Sequence, residues 1–322
     1  MTSQAPPVPP QLMDRVQDTL GRLCVLDGIP EDEVRFRSWV PNSARKQRRR
    51  LFVSGGARDR PVYVAKIPLD PLDTMVVKER GILRAPAPAG VARPGVACEF
   101  DRGFVMDWVP DRDFPHAFGE GGTDRARVLL EQAVDLMLPL HTGDPAAGPG
   151  DATPIARAYL GDLLEQAGPA ALDALSHTWI GPSHGDLGPW NIRWDASDGR
   201  LALIDWEDYH DSGITTIDLL NTVLTSALVV FPDYQQRGFG WLGEQMFGLD
   251  GPFRTAMRAA LRRYAGATGQ SAAALARLVP VCCLWLHRRI EKQGRPADHL
   301  FYRPLTEYFL RAEPDWIGAL DD

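Results

Sequence analysis

The fold is decided by the ten residues 183–192, which read SHGDLGPWNI. Asp186 and Asn191 lie five residues apart in this stretch, and the glycines and the proline around them disfavour a regular helix. We therefore expect a tight polar loop that directs both side chains to one place. The sequence after it predicts two short strands joined by the turn DASDG, and this hairpin is expected to return Asp205 to the side of Asn191.

Two carboxylates and one amide around a small volume favour a magnesium ion beside a phosphoryl group. Mg²⁺ prefers oxygen ligands, and kinases use an Asp to orient and deprotonate a hydroxyl, with an Asn and a second Asp on the metal. Asp186 is therefore the candidate catalytic base, and Asn191 and Asp205 are the candidate metal ligands. Asp and Asn more often cap turns, but the flanking sequences His-Gly and Ile-Asp-Trp-Glu favour the catalytic interpretation.

The octapeptide HGDLGPWN at 184–191, followed by IDWE at 204–207, resembles the aminoglycoside phosphotransferase and choline kinase-like family. The pattern of that family is His-Gly-Asp, four residues and Asn, and then an Asp after a hydrophobic strand. The resemblance implies a protein-kinase-like fold that uses ATP or GTP with Mg²⁺ to phosphorylate a hydroxyl of a small molecule. It also implies that His184 holds the loop by hydrogen bonds, although an imidazole can act as a base. Glu207 lies two residues after Asp205, so we expect it to support the metal or to face the substrate.

The N-terminal part of the chain is expected to form a small sheet with two helices. The patterns predict strands at 33–40, 51–54, 61–67, 91–99 and 104–109, and helices at 11–26 and 71–83. Lys66 lies near the end of an apolar strand and needs a partner if it is buried. Glu79 on the next helix is the expected partner, with Asp73 as an alternative. Kinases place a lysine here on the α- and β-phosphates, although an edge-strand lysine that blocks aggregation has the same pattern.

The segment 41–50 occupies the place of the glycine-rich phosphate loop of kinases, but it contains no glycine. Ser43 and neighbouring backbone N–H groups would cover the nucleotide phosphates. Alternatively, the segment is a solvated basic loop or binds an anionic partner, because its charge exceeds what two phosphates need.

The sequence FVMDWVP at 104–110 resembles the hinge of the family. The resemblance implies that Asp107 and Val109 bind adenine through the backbone and that Met106 flanks the base. An ordinary linker is the alternative.

The C-terminal part is expected to be mainly helical and to wall the acceptor site. Helices are predicted at 123–141, 155–166, 170–178, 217–230, 252–265, 271–292 and 297–310. Asp208 and Asp211 extend the acidic sequence after the hairpin, and they indicate either a cationic or polyhydroxylated substrate or ordinary turns. Asp218 resembles a buried structural Asp of the family. His287 and the two adjacent arginines, Arg288 and Arg289, face either the cleft or the solvent, and the sequence does not decide between these.

Composition and charge narrow the class of protein. The net charge of -7 argues against a nucleic-acid partner, because such proteins usually carry a basic excess. The four cysteines have no metal-ligand spacing. The longest apolar run, 217–231, is too short to span a membrane, and residues 1–10 lack the apolar core of a signal peptide. A cytoplasmic protein without a membrane partner is expected.

We predict an α+β, bilobal protein-kinase-like fold with a small antiparallel-sheet N-lobe and a mainly helical C-lobe. A disordered tail is expected at 1–10, a nucleotide-binding lobe at 11–110, and a catalytic and acceptor-binding lobe at 111–322. The predicted activity is ATP- or GTP-dependent O-phosphorylation of an aminoglycoside-like antibiotic, a sugar or an amino alcohol, by a monomer or homodimer. The alternative is a catalytically weak pseudokinase that serves as a nucleotide-binding or scaffold module.

Overall fold

The structure is a computed structural model that describes residues 9–41, 49–58, 60–109, 112–194, 200–311 and 314–322. The predicted phosphate-covering residue Ser43, most of the predicted tail and the turn at 195–199 lie outside the described residues. The chain divides into two units by its internal contacts. Unit 1 comprises Met1–Pro86, Arg93–Pro110 and Ile204–Glu207, and unit 2 comprises Ala87–Ala92, Asp111–Leu203 and Asp208–Asp322.

Unit 1 is built on a five-stranded antiparallel sheet with the strand order β1-β2-β3-β5-β4. Its strands are β1 (Arg35–Trp39), β2 (Arg50–Ala57), β3 (Arg60–Pro68), β4 (Val96–Glu99) and β5 (Phe104–Asp107). Its helices are α1 (Pro10–Leu26) and α2 (Met75–Arg84). The short segment Ile204–Glu207 belongs to this unit, and Arg93 lies over the Trp206 ring at 5.4 Å from its centroid.

The core of unit 1 lies between α1 and the sheet. Residues four apart on α1, such as Val16 and Leu20, share one face of the helix and are fully buried. Ala65 and Ile67 of β3 belong to the same core cluster. Each fully buried side chain of this size contributes about 1.5–3 kcal/mol. Successive side chains of a strand alternate between its faces, so packing of Ala65 and Ile67 against α1 directs Lys66 to the opposite face.

Unit 2 is mainly helical. Its helices are α3 (Phe114–Thr142), α4 (Thr153–Leu160), α5 (Pro169–Leu175), α6 (Thr215–Val230), α7 (Tyr234–Arg237), α8 (Phe239–Gly243), α9 (Pro252–Thr268), α10 (Ala272–Arg277), α11 (Val279–Lys292) and α12 (Tyr302–Arg311). Helix α3 is kinked at Gly122, where φ is 54°. Helix α6 is buried over its first thirteen residues, Thr215 to Ala227, although seven of them are polar.

Two small antiparallel sheets complete unit 2. Their strands are β6 (Arg112–Asp113), β7 (Gly148–Gly150), β8 (Thr178–Ser183), β9 (Ile192–Trp194), β10 (Leu201–Leu203) and β11 (His210–Ile214). The strand orders are β10-β9-β6 and β11-β8-β7. The predicted hairpin is present as β9 and β10, in which Leu203 pairs with Ile192. The hairpin therefore ends two residues before Asp205.

Several of the predicted helices are wrong in extent. For example, the helix predicted at 155–166 ends at Leu160, and the one predicted at 297–310 begins at Tyr302. The helix predicted at 271–292 is two helices, because α10 ends at Arg277 and α11 begins at Val279. Pro280 lacks the N–H that a continuous helix needs, and it is accepted in the first turn of a new helix. The helix predicted at 170–178 ends at Leu175, and Thr178 already begins β8, where the sequence Thr-Trp-Ile favours a strand.

The predicted fold class is confirmed, with an antiparallel sheet in the N-terminal region and a helical C-terminal region. None of the helices that the structure describes is both long and apolar enough to cross a membrane.

Candidate active site

Lys66 is the centre of a buried ion-pair cluster in unit 1. Its Nζ donates to Glu79 Oε2 at 2.5 Å and to Asp205 Oδ1 at 2.7 Å. Burial alone would lower the pKa of Lys66, but the carboxylates of Asp205 and Glu79 outweigh it and raise the pKa. Burial raises the pKa of Glu79 to about 7, against the attraction of Lys66. The cluster thus holds a fixed ammonium group, the type of cation that binds phosphate oxygens.

Asp205 has a strained backbone. Its φ is 64°, and among the residues that the structure describes it is the one non-glycine residue with a positive φ. A left-handed conformation costs an L-residue roughly 1–2 kcal/mol, and such strain concentrates at functional sites. The side chain of Asp205 is 35% exposed, whereas those of Lys66 and Glu79 are almost fully buried. Asp205 is therefore the carboxylate of this cluster that an incoming ligand can reach.

A second buried ion-pair cluster lies beside the first. Arg50, at the start of β2, donates from Nε to Asp73 Oδ2 at 2.8 Å and forms an ion pair with Glu207 through Nη1. Burial would lower the pKa of Arg50, but the hydrogen bond to Asp73 and the charge of Glu207 raise it. Asp73 therefore binds Arg50, and the alternative in which Asp73 is the partner of Lys66 is wrong.

The carboxylates of unit 1 fit a divalent cation. One oxygen from each of Glu79, Asp205 and Glu207 lies within 4.8 Å of the other two. Glu79 Oε1 is buried and has no hydrogen-bond partner among the described residues. With Asp73, four carboxylates surround two cations, so the cluster has a surplus of two negative charges when all the groups are ionised. Carboxylate oxygens are the ligands that Mg²⁺ prefers.

The predicted hinge residues follow the last strand of unit 1. The N–H of Asp107 donates to the carbonyl of Gly95 at 3.0 Å, and its carboxylate accepts from the N–H of Gly95 at 2.8 Å. Met106 pairs with Val64 in the sheet, and Val109 follows the end of β5. The Asp107 N–H is thus already used within the protein, which leaves its carbonyl and the groups of Val109 as the backbone groups to consider for a base.

The predicted catalytic loop belongs to unit 2 and is closed by its own hydrogen bonds. The carbonyl of Asp186 accepts from the N–H of Gly188 at 2.8 Å and from Asn191 Nδ2 at 2.7 Å. Gly185 has a φ of 81°, which favours glycine, and a Cβ there would lie 2.1 Å from the carbonyl oxygen of Asp208. The amide of Asn191 therefore fixes the backbone of Asp186, and the conformation of this loop depends on glycine at position 185.

Asp218 anchors this loop from the first turn of α6. Its carboxylate is buried and accepts from the backbone N–H groups of His184 at 2.6 Å and Gly185 at 2.9 Å. Its Oδ2 also lies 3.2 Å from Nε2 of the buried His141. Burial would raise the pKa of Asp218, but the hydrogen bond with His141 and the other contacts lower it. Asp218 is thus an anionic cap on the residues directly before Asp186.

Arg289, whose orientation the sequence left open, binds the predicted catalytic base. Its Nη1 donates to Asp186 Oδ1 at 2.6 Å, and its Nη2 lies 2.6 Å from Asp186 Oδ2. Its Nε donates to Asp208 Oδ2 at 3.1 Å. Asp208, for which the sequence suggested substrate recognition or a turn, thus contacts a cation of the protein. The sequence pointed to Arg288 and Arg289 as possible cleft residues, but because they are adjacent and chemically identical it does not show which one is buried.

Comparison with known families identifies the class of the protein. The family model described as phosphotransferase enzyme family matches residues 38–227. Because this match covers more than half of the chain, the chain belongs to that family, and the predicted resemblance and the predicted enzyme class, a phosphotransferase, are confirmed. A search of curated protein sequences gives no match.

Solved structures show the same fold at low sequence identity. A choline kinase from Cryptosporidium parvum Iowa II superposes with a TM-score of 0.55 and 10% identity, covering 94% of this chain and 97% of that chain. A choline/ethanolamine kinase family protein from Mesorhizobium loti has a TM-score of 0.50 and 16% identity, covering 96% of this chain and 94% of that chain. Both comparisons support the kinase-like fold inferred from the catalytic loop.

Proposed function

We propose that this phosphotransferase moves the γ-phosphoryl group of ATP or GTP to a hydroxyl group of a small molecule. The observation that carries the proposal is the buried ammonium of Lys66, held between Glu79 and the partly exposed Asp205. A structural ion pair needs one carboxylate. Here the second carboxylate is strained and partly exposed, which is an arrangement for a ligand rather than for stability.

In this proposal the residues of unit 1 bind the nucleotide. Lys66 binds the α- and β-phosphates, and Glu79 keeps its ammonium in place. The backbone near Met106, Asp107 and Val109 binds the base, as the resemblance to the family implies. Asp205 and Asn191 are the proposed ligands of Mg²⁺, which would neutralise the developing phosphate charge when it is bound. The surplus negative charge around Lys66 supports a divalent cation beside Asp205.

Asp186 orients the acceptor in the proposed reaction. Its carboxylate accepts a hydrogen bond from the acceptor hydroxyl, whose oxygen forms the new bond to the γ-phosphorus while the bond from that phosphorus to the bridging oxygen breaks. The hydroxyl proton passes to Asp186, and the nucleoside diphosphate leaves with the bridging oxygen. Positioning and charge stabilisation supply most of the acceleration, because the transition state of phosphoryl transfer is loose.

An acceptor panel tests this function. Purified protein, ATP or GTP and Mg²⁺ are incubated with aminoglycosides, sugars, amino alcohols and nucleosides, and mass spectrometry detects the gain of one phosphate. We expect one acceptor class to be phosphorylated, and Asp186→Asn to lower the rate by about 10²- to 10⁴-fold with nucleotide binding retained. Nucleotide binding without transfer to any class would contradict the proposal and would instead support a scaffold module.

A further inference from the structure

Arg289 reaches the catalytic loop from the last two turns of α11. Nη1 of its guanidinium donates to Asp186 Oδ1 at 2.6 Å, and Nη2 lies 2.6 Å from Asp186 Oδ2 in the same ion pair. A planar guanidinium that contacts both oxygens in this way constrains the plane of the carboxylate, which a single charge on a flexible lysine does not do. Arg289 is 9% exposed and the side chain of Asp186 is 24% exposed, so the guanidinium is largely shielded from water while the carboxylate is partly accessible.

The contact of the Arg289 guanidinium with both carboxylate oxygens, which we call the fork, sets the orientation of Asp186 toward an acceptor. A carboxylate has about four lone-pair sites on its two oxygens, and Arg289 donates to one site on Oδ1 and contacts Oδ2. The guanidinium plane therefore sets the direction of the others. Without the fork, the carboxylate would turn about its Cβ–Cγ bond, for which rotation is broad and nearly twofold.

Asp208 holds the other edge of Arg289. Its Oδ2 accepts from Nε at 3.1 Å and from Nη2. Asp208 is itself fixed against the loop, because its backbone carbonyl packs so close to Gly185 that no side chain fits there. The side chains of Asp208, Arg289 and Asp186 are thus linked in a row. Asp186 belongs to the catalytic loop, and the backbone of Asp208 packs against the same loop at Gly185.

We propose that Arg289, held by Asp208, is the positioning residue that orients the carboxylate of Asp186 toward the acceptor hydroxyl. This inference rests on the proposed function for its kinetic consequence, but the geometry of Asp186 can be measured without turnover.

The test compares Arg289→Ala with Arg288→Ala. Arg288 is the adjacent residue of α11, its side chain is 41% exposed, and it pairs with Glu291 at 3.2 Å, so its loss is a matched control. We expect Arg289→Ala to lower kcat by about 10²-fold while the KM for the nucleotide stays within twofold. Ethylguanidine should restore part of the rate, and Arg289→Lys, which keeps the charge but loses the fork, should fall between the wild type and Arg289→Ala.

Crystal structures of the same variants give the readout that is independent of activity. We expect the Asp186 carboxylate to be rotated or disordered in Arg289→Ala and unchanged in Arg288→Ala. If Arg289→Ala does not fold, Asp208→Asn and Arg289→Lys replace it, with the same direction and a smaller effect. An Asp186 side chain that keeps its orientation without Arg289, or a kcat within threefold of the wild type, would overturn the inference. A wild-type protein that phosphorylates nothing would instead reject the proposed function, and the crystal structures would still decide the role of Arg289.

Discussion

Lys66 Nζ and Asp205 Oδ1 lie 2.7 Å apart, although 139 residues separate them in the sequence. The contact places the segment Ile204–Glu207 in the same unit as the five-stranded sheet. Because Glu79 occupies a second donor of the same ammonium, Lys66 bridges two carboxylates. A phosphate that binds Lys66 would therefore have to compete with Asp205 for its ammonium group.

Removal of Lys66 is expected to weaken nucleotide binding. A hydrogen bond to a charged group is worth about 1.5–3 kcal/mol, so Lys66→Met should raise the Kd of ATP by roughly 10- to 100-fold in isothermal titration calorimetry. The same substitution leaves Glu79 without its cation and is expected to destabilise the protein by about 3–5 kcal/mol. Lys78→Met, on the exposed side of α2, is the matched control and should change neither quantity. Equal ATP affinity in the two variants would show that Lys66 is only structural.

The substitution Asp205→Asn removes the charge of this residue while keeping its backbone conformation, so it tests the contribution of the charge alone. Asn tolerates a positive φ as well as Asp does, so the strained turn at φ 64° should persist and the variant should fold. Loss of the carboxylate should weaken binding of Mn²⁺, used as a paramagnetic substitute for Mg²⁺, by about tenfold or more. Electron paramagnetic resonance measures the free ion in the presence of nucleotide, and Asp101→Asn in an exposed turn serves as the control. Unchanged affinity for Mn²⁺ would remove Asp205 from the proposed ligand set.

The sequence predicts contacts that are local or that follow from strand and helix periodicity. Lys66 and Glu79 are 13 residues apart, on a strand and the helix after it, and their ion pair follows from that order. The strand pattern also predicts that Lys66 faces away from Ala65 and Ile67. These predictions need only the order of the elements along the chain and the periodicities of a strand and a helix.

Other features depend on tertiary packing that the sequence does not encode locally. Arg289 lies 103 residues after Asp186, and its neighbour Arg288 has the same chemistry, so only the rotation of α11 decides which one is buried. That rotation is set by where the helix begins after the break at Leu278. The sheet of β7, β8 and β11 was also missed, because glycine and proline are abundant in these strands and usually argue against them.

Gly185→Ala is expected to damage the catalytic loop, and Gly188→Ala is expected to spare it. At 185, φ is 81° and a Cβ would lie 2.1 Å from the carbonyl oxygen of Asp208, which is backbone and cannot turn aside. At 188, φ is -99° and the nearest atom would be 3.3 Å away on the Trp190 side chain. We expect Gly185→Ala to lose about 1–3 kcal/mol of unfolding free energy and most of its activity. Urea unfolding and the acceptor assay measure both, and equal behaviour of the two variants would contradict this account of the loop.

Asp218 should give the protein an acid-dependent stability. Its pKa in the folded protein is lower than its ordinary value of 3.8, so the folded state binds this proton less readily than the unfolded state. The stabilisation is therefore present above about pH 3.8 and is lost as the pH falls through the lowered pKa. Asp218→Asn keeps one acceptor oxygen for the N–H groups of His184 and Gly185, and it should cost about 2–4 kcal/mol at pH 7.

The difference in unfolding free energy between the wild type and Asp218→Asn should thus shrink as the pH drops below 3.8. Urea unfolding at several pH values measures this difference. Asp211→Asn, on the exposed part of β11, is the control and should stay within about 0.5 kcal/mol of the wild type at pH 7. A difference for Asp218→Asn that is constant from pH 7 to pH 3 would mean that the lost hydrogen-bond geometry, and not the carboxylate charge, explains its cost. The loop before Asp186 would then be held by packing of α6 rather than by an anionic cap.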